Sequence, residues 1–162
     1  NINDVNKLKI PEKNKLSYVS QTTLSIDDTK KIIDALKEKY PSIIGPKSDD
    51  ICYATQNRQE AVKKMLNKHD LIFVIGSKNS SNSNRLLEIV KDKKIDAILL
   101  DDMSQFQTKW LNNKKNIGIT AGASAPEIIV KKLIKEIKKN KSVSISEIEG
   151  IKENIIFKLP KL

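Results

Sequence analysis

The side chains of this sequence best suited to chemistry gather in three short polar loops and at one thiol. The loops are SQTTLS (residues 20–25), GSKNSSNSN (76–84) and TAGASAPE (120–127). The only cysteine, Cys52, lies in the stretch ICYATQNRQ. Each loop stands between an apolar run and a segment of helical periodicity. Hydroxyls, amides and free backbone N–H groups collected at helix N-termini make a cradle for anions, because first-turn donors lack intrahelical partners and the dipole is positive there. A lone thiol at a strand end nearby adds a metal ligand.

The middle loop carries the strongest signal. Every residue in it except Gly76 and Lys78 is serine or asparagine. A helix N-cap needs one such residue, so the surplus points to an anion held by neutral hydrogen bonds and the helix field. The P-loop spacing is absent, and so is a G-x-G-x-x-G turn. In TAGASAPE, Ser124 and Glu127 fit an S-x-x-E capping box with Pro126 in the first turn, which alone could explain Ser124. Gly122 and its flanking alanines leave the backbone open to close approach by a ligand. SQTTLS is weaker by itself, since Thr22 and Thr23 could merely close a strand end. Cys52 taken alone is read first as a small buried hydrophobe. His69 is read as a surface or helix C-terminal contact without a role. The neighbouring acids Asp49-Asp50 and Asp101-Asp102 point different ways and are read as loop and cap residues. No catalytic residue is assigned.

The elements that must position these groups alternate between strand and helix. Short strands are expected over residues 16–20 and 42–45, the second stopped by Gly45-Pro46. A helix is expected over 26–40, with Ser25 as N-cap, Asp28 as its capping-box partner, Ile32, Ile33 and Leu36 as the apolar stripe, and Pro41 as terminator. A second helix is expected over 57–68 through Ala61, Val62, Met65 and Leu66. LIFVI (71–75) is a continuous apolar run of the buried-strand kind, ended by Gly76. Further expectations are a helix over 85–93, a strand over 95–100, a short helix over 104–113 carrying Trp110, a strand over 117–120, a helix over 126–139 and a terminal strand over 155–159. This alternation implies an α/β fold with a parallel sheet, whose ligands sit at the carboxyl ends of the strands. All three polar loops fall there.

Composition bounds the rest. The 162 residues suit one compact domain or two small lobes. No apolar run approaches the roughly 18 residues of a membrane span. The net charge of +10 invites a nucleic-acid reading, but only Arg58 and Arg85 are arginines, the lysines are scattered along helix faces, and aromatics are 4%. That is too few for a base-stacking platform, so no nucleic-acid partner is expected. One cysteine excludes an internal disulfide framework and fits a reducing compartment. The chain opens on Asn1 with no signal-peptide pattern, so Asn1 is read as a cut point. The lysine- and asparagine-rich composition leans toward a plastid-like organelle, with bacterial cytoplasm as the alternative.

Read together, QTTLS, DDICYATQNRQEAV, VIGSKNSSNSNRL and TAGASAPE closely resemble the 4-hydroxy-3-methylbut-2-enyl diphosphate reductases, over about residues 15–160. The resemblance implies a three-lobed α/β protein of pseudo-threefold symmetry around a 4Fe–4S cluster. Residues 1–48 would be the latter part of the second lobe, 49–139 the third lobe and 140–162 a C-terminal tail. Cys52 would be one of three thiolate ligands of the cluster. Thr22, Ser80, Ser81, Asn82 and Ser124 fall on the family's substrate positions, the serines and Asn82 at the diphosphate and Thr22 nearer the reacting alcohol. The implied reaction is a two-electron reductive dehydroxylation giving isopentenyl and dimethylallyl diphosphates, with a ferredoxin-type electron donor. The family's other two cysteines, its histidines and its proton-donating glutamate have no counterpart here, so this chain alone is expected to be inactive and to hold no stable cluster. The alternative is a non-catalytic diphosphate-binding module.

Overall fold

A parallel strand buried on both faces has to be apolar at every position, and LIFVI meets that demand. In the computed structural model, which describes residues 1–11, 15–46 and 50–150, it forms strand β1 (Leu71–Ile75), buried throughout. β1 is the centre of a three-stranded sheet of order β2-β1-β3. Strand β2 (Asp96–Leu100) runs parallel to it, from Leu71 opposite Asp96 to Ile75 opposite Leu100. Strand β3 (Ile117–Ala121) is parallel on the other side, from Leu71 opposite Ile117 to Ile75 opposite Ala121.

Side chains alternate across a strand, and β1 therefore feeds two cores. Leu71, Phe73 and Ile75 pack with Leu100, Leu111, Leu133 and Ile137 on one face. Ile72 and Val74 pack with Val62, Met65, Leu86 and Val90 on the other. Helices α3 (Tyr53–Met65) and α4 (Ser81–Lys91) cover the second face. Helix α5 (Glu127–Asn140) covers the first, together with two 3-10 turns, Met103–Gln105 and Thr108–Leu111. Phe73, Phe106 and Trp110 meet there with centroids 6.1–6.2 Å apart. Those two turns replace the single helix expected over 104–113. Asp102 caps the first by accepting from the Ser104 N–H at 2.7 Å, and extended backbone at Phe106 and Gln107 separates it from the second.

Ahead of the sheet lie α1 (Ile2–Lys7) and α2 (Ile26–Lys39). Ser25 caps α2 as expected, accepting from the Asp28 N–H at 3.2 Å. The strands expected over 16–20 and 42–45 amount to one parallel bridge, Ser17 with Ile44. Pro46 has no N–H with which to extend a ladder, and a side chain at Gly45 would strike the Tyr18 ring, its Cβ 2.3 Å from the phenol oxygen. Tyr40 ties this region together: its hydroxyl accepts from the Ile10 N–H at 3.2 Å and donates to the Leu8 carbonyl at 3.0 Å. Lys39 Nζ donates to the Val5 and Asn6 carbonyls, closing the end of α1.

At the amino end of the sheet, Asp70 accepts from the Lys115 and Asn116 N–H groups at 2.8 and 2.9 Å, fixing the starts of β1 and β3 to each other. The turns into β2 and β3 each contain a left-handed residue, Lys94 (φ 58°) and Asn113 (φ 59°). The strand expected over 155–159 and the residue Asp49 lie outside the described residues.

Candidate functional site

α3 and α4 both begin four residues earlier than apolar periodicity predicts, and that difference creates the site. Polar side chains are buried in their first turns, Thr55 in α3 and Asn82 and Ser83 in α4, and Gln59 follows in the second turn of α3. Cys52 stands at the N-cap of α3 in extended conformation, and Ser80 at the N-cap of α4, its hydroxyl accepting from the Ser83 N–H at 3.3 Å. Ser81, expected in a loop, is the first helical residue.

The mouth of the sheet opens between the β1 and β3 loops. The chain leaves β1 into α4 on one face and leaves β3 into α5 on the opposite face. Neighbouring strands whose connections diverge in this way leave a crevice at their carboxyl ends. Its two lips touch through Ser83. A Cβ on Gly76 (φ 155°) would lie 2.1 Å from Ser83 Oγ, and one on Gly122 2.3 Å from the same atom. Only glycine permits both approaches. The Gly122 N–H donates to the Ile75 carbonyl at 2.8 Å, holding the β3 loop on β1.

Asn82, next to Ser83 in the first turn of α4, is the most telling side chain of this region. It is 5% exposed, and neither end of its amide finds a partner among the described residues. A buried amide left unpaired costs about 1–3 kcal/mol, a cost that a bound polar group would remove. Thr23 Oγ1, beside Thr22, is likewise buried and unpartnered. Ser81, Ser124 and Thr22 are exposed and Ser80 half-buried.

The capping box of Ser124 with Glu127 does not form. Pro126 occupies the N-cap of α5 without a side-chain bond, and the Glu127 carboxylate instead meets Lys131 Nζ at 2.8 Å. The hydrogen bond and charge of Lys131 hold the Glu127 pKa below its ordinary value. Ser124 is thereby released from a capping role.

The thiol side is fastened to the SQTTLS loop. The Cys52 N–H donates to the Thr22 carbonyl at 3.1 Å, and Asp50 accepts from the Ser20 N–H at 2.7 Å and its hydroxyl at 3.2 Å. Gln59, 1% exposed, donates to the Leu24 carbonyl at 2.8 Å and accepts from the Ile26 N–H at 3.3 Å. Lys63 reaches Asp27 at 2.9 Å and Glu60 at 3.0 Å. Burial would lower the Lys63 pKa, but these two carboxylates outweigh it and raise it. Arg85 of α4 bonds Glu88 at 2.8 Å and stands 3.7 Å from Asp28 in the first turn of α2. Contacts thus link the SQTTLS, Cys52, Ser80 and Gly122 segments in one chain. His69 bonds the Met65 carbonyl at 2.8 Å, the helix-end contact expected of it.

Cys52 is an exposed free thiol, and among the described residues no group of three or more His, Cys, Asp or Glu side chains could hold a metal. It fits as one ligand of a multi-thiolate centre, not as a complete set. Gln59 was not singled out by the sequence, because its partners, the Leu24 carbonyl and the Ile26 N–H, are backbone groups of a distant segment.

A parallel three-stranded α/β sheet with neutral polar turns at the carboxyl ends of its strands is the class this geometry defines. Residues 1–138 match the family model described as LytB protein, and the chain belongs to that family. It is similar to the 4-hydroxy-3-methylbut-2-enyl diphosphate reductase of Nitrosomonas europaea, 51% identical over 164 residues that cover 98% of this chain and 51% of the relative. The reductase of Francisella tularensis subsp. tularensis is 54% identical over 159 residues, again 98% of this chain and 50% of the relative. Among solved structures, the E-1-hydroxy-2-methyl-but-2-enyl-4-diphosphate reductase of Plasmodium falciparum superposes with a TM-score of 0.79 at 41% identity, over 85% of this chain and 43% of that one. The chain spans about half the length of the curated relatives it matches. No helix among the described residues is long and apolar enough to cross a membrane.

Proposed function

We propose that this chain is the diphosphate-binding and thiolate-bearing part of a reductase that converts 4-hydroxy-3-methylbut-2-enyl diphosphate to isopentenyl and dimethylallyl diphosphates. The observation that carries the reading is Asn82: a buried, unpartnered amide at a helix N-terminus, between two loops that present hydroxyls. Asn82, Ser80, Ser81 and Ser124 donate to diphosphate oxygens, with the α4 dipole adding to the attraction. No lysine or arginine is required in the cradle. Thr22 lies toward the alcohol end, because its carbonyl is bonded to the Cys52 backbone.

Cys52 would hold a 4Fe–4S cluster together with two thiolates from outside this chain. When bound, that cluster supplies electrons and a Lewis-acidic iron for the departing hydroxyl. The chain's own part is to fix the diphosphate, shield the allylic alcohol in the crevice and hold the thiolate beside it. The electrons come from a ferredoxin-type donor. Residues 1–48 complete a second lobe, 49–139 form a third and 140–162 a tail. The lysine- and asparagine-rich composition supports a plastid-like setting, and the bacterial relatives support the cytoplasmic one.

Two substitutions in the complete, anaerobically reconstituted protein test the reading. Asn82→Ala is expected to raise KM about 10- to 100-fold, the worth of one or two hydrogen bonds to a charged group, with the visible cluster absorption retained. Cys52→Ser is expected to abolish that absorption and turnover together. Unchanged KM in the first, or unchanged iron content in the second, would remove the corresponding assignment. The single cysteine of the sequence favours one other reading, a diphosphate-binding module without the reaction. Pyrophosphate binding with no turnover in the reconstituted complete protein is its signature.

A further inference from the structure

Ser83 has no place among the residues assigned to the ligand, yet the crevice is built around it. We propose that Ser83 is a positioning residue that holds the Ser80 hydroxyl in place in the cradle, where it can donate to a phosphoryl oxygen of the ligand. This rests on the diphosphate reading above.

A serine hydroxyl has one proton and two lone pairs. Ser80 Oγ accepts from the Ser83 N–H at 3.3 Å and lies 3.1 Å from the Ser83 hydroxyl, within hydrogen-bond reach. Two contacts from one residue thus fix where the Ser80 hydroxyl sits. Ser83 cannot easily turn away. It is 1% exposed, and its oxygen presses against Cα of both Gly76 and Gly122, where a Cβ would come within 2.1 and 2.3 Å. The β1 loop, the β3 loop and the first turn of α4 therefore fix one hydroxyl in one place. A phosphoryl oxygen accepts from Ser80 there. The neighbouring Asn82, buried with its amide unpartnered, independently marks the same crevice as a ligand site.

A double-mutant cycle read by pyrophosphate binding to the complete protein tests this. Ser83→Ala is expected to weaken pyrophosphate affinity about 3- to 10-fold, the effect of misaligning one hydrogen bond. In a Ser80→Ala background the same change should alter affinity less than about 2-fold, since groups that act through each other are non-additive. Ser83→Ala removes one atom at a helical position that favours alanine, and a melting curve checks folding. Losses of equal size in both backgrounds, or none in Ser83→Ala, overturn the role of Ser83 alone. A wild-type protein that ignores pyrophosphate overturns the diphosphate reading, and this inference with it.

Discussion

The first fifty residues and the sheet that follows hold themselves together by different means. From Leu71 to Asn140 the chain is layered, with every residue of β1 buried and an apolar core on each face. In residues 1–50 the described segments bury little apolar surface beyond Val5 and Tyr40, and individual polar contacts do much of the joining, among them one β-bridge, the Tyr40 hydroxyl, the Lys39 ammonium and the Gln59 amide. Val19 and Ile44 stand 87% and 63% exposed there. Apolar burial adds up over many atoms, whereas each polar tie contributes about 1 kcal/mol net. The candidate site straddles the two regimes, with the Ser80, Asn82 and Ser124 side on the rigid half and the Thr22 side on the half held by individual bonds.

That contrast can be broken or sharpened. The largest effect is expected from Phe73→Ala, which empties the centre of one core and touches Phe106 and Trp110; denaturant unfolding should show a loss of about 3–5 kcal/mol. Gln59→Ala comes next. It strands the Leu24 carbonyl and the Ile26 N–H, at a cost of about 2 kcal/mol. Amide exchange should accelerate over residues 20–26 while β1 stays protected. If β1 accelerates equally, the two regions unfold as one unit and the contrast fails. The smallest effect belongs to Asp70→Asn. Backbone N–H groups of Asn116 and Lys115 hold the Asp70 pKa below its ordinary 3.8. Its contribution is therefore complete above that value and fades as pH falls through the lower, folded one. Melting curves of wild type and Asp70→Asn should differ slightly near neutrality and converge in strong acid.

The sheet was legible because burial on two faces leaves no room for polar residues: LIFVI could hardly be anything else. The starts of α3 and α4 were hidden for a related reason. Thr55, Gln59, Asn82 and Ser83 are buried polar groups, so apolar periodicity begins a turn late wherever the site begins. The serine- and asparagine-rich loop could be recognised from residue types alone. The grip of Ser83 on two glycines, and of Gln59 on the SQTTLS loop, could not, because the partners are backbone atoms of distant segments. The capping box read from Ser124 and Glu127 does not form: the S-x-x-E pattern is present, but Pro126 takes the position and Lys131 takes the glutamate.

The left-handed turns at Lys94 and Asn113 sit at the pole of the sheet opposite the crevice. A fluorophore or an immobilising tether joined there would leave the ligand's doorway clear, and glycine in either turn would ease its backbone without reaching the far pole. The molecule thus offers a handle for attachment at the pole away from the proposed site.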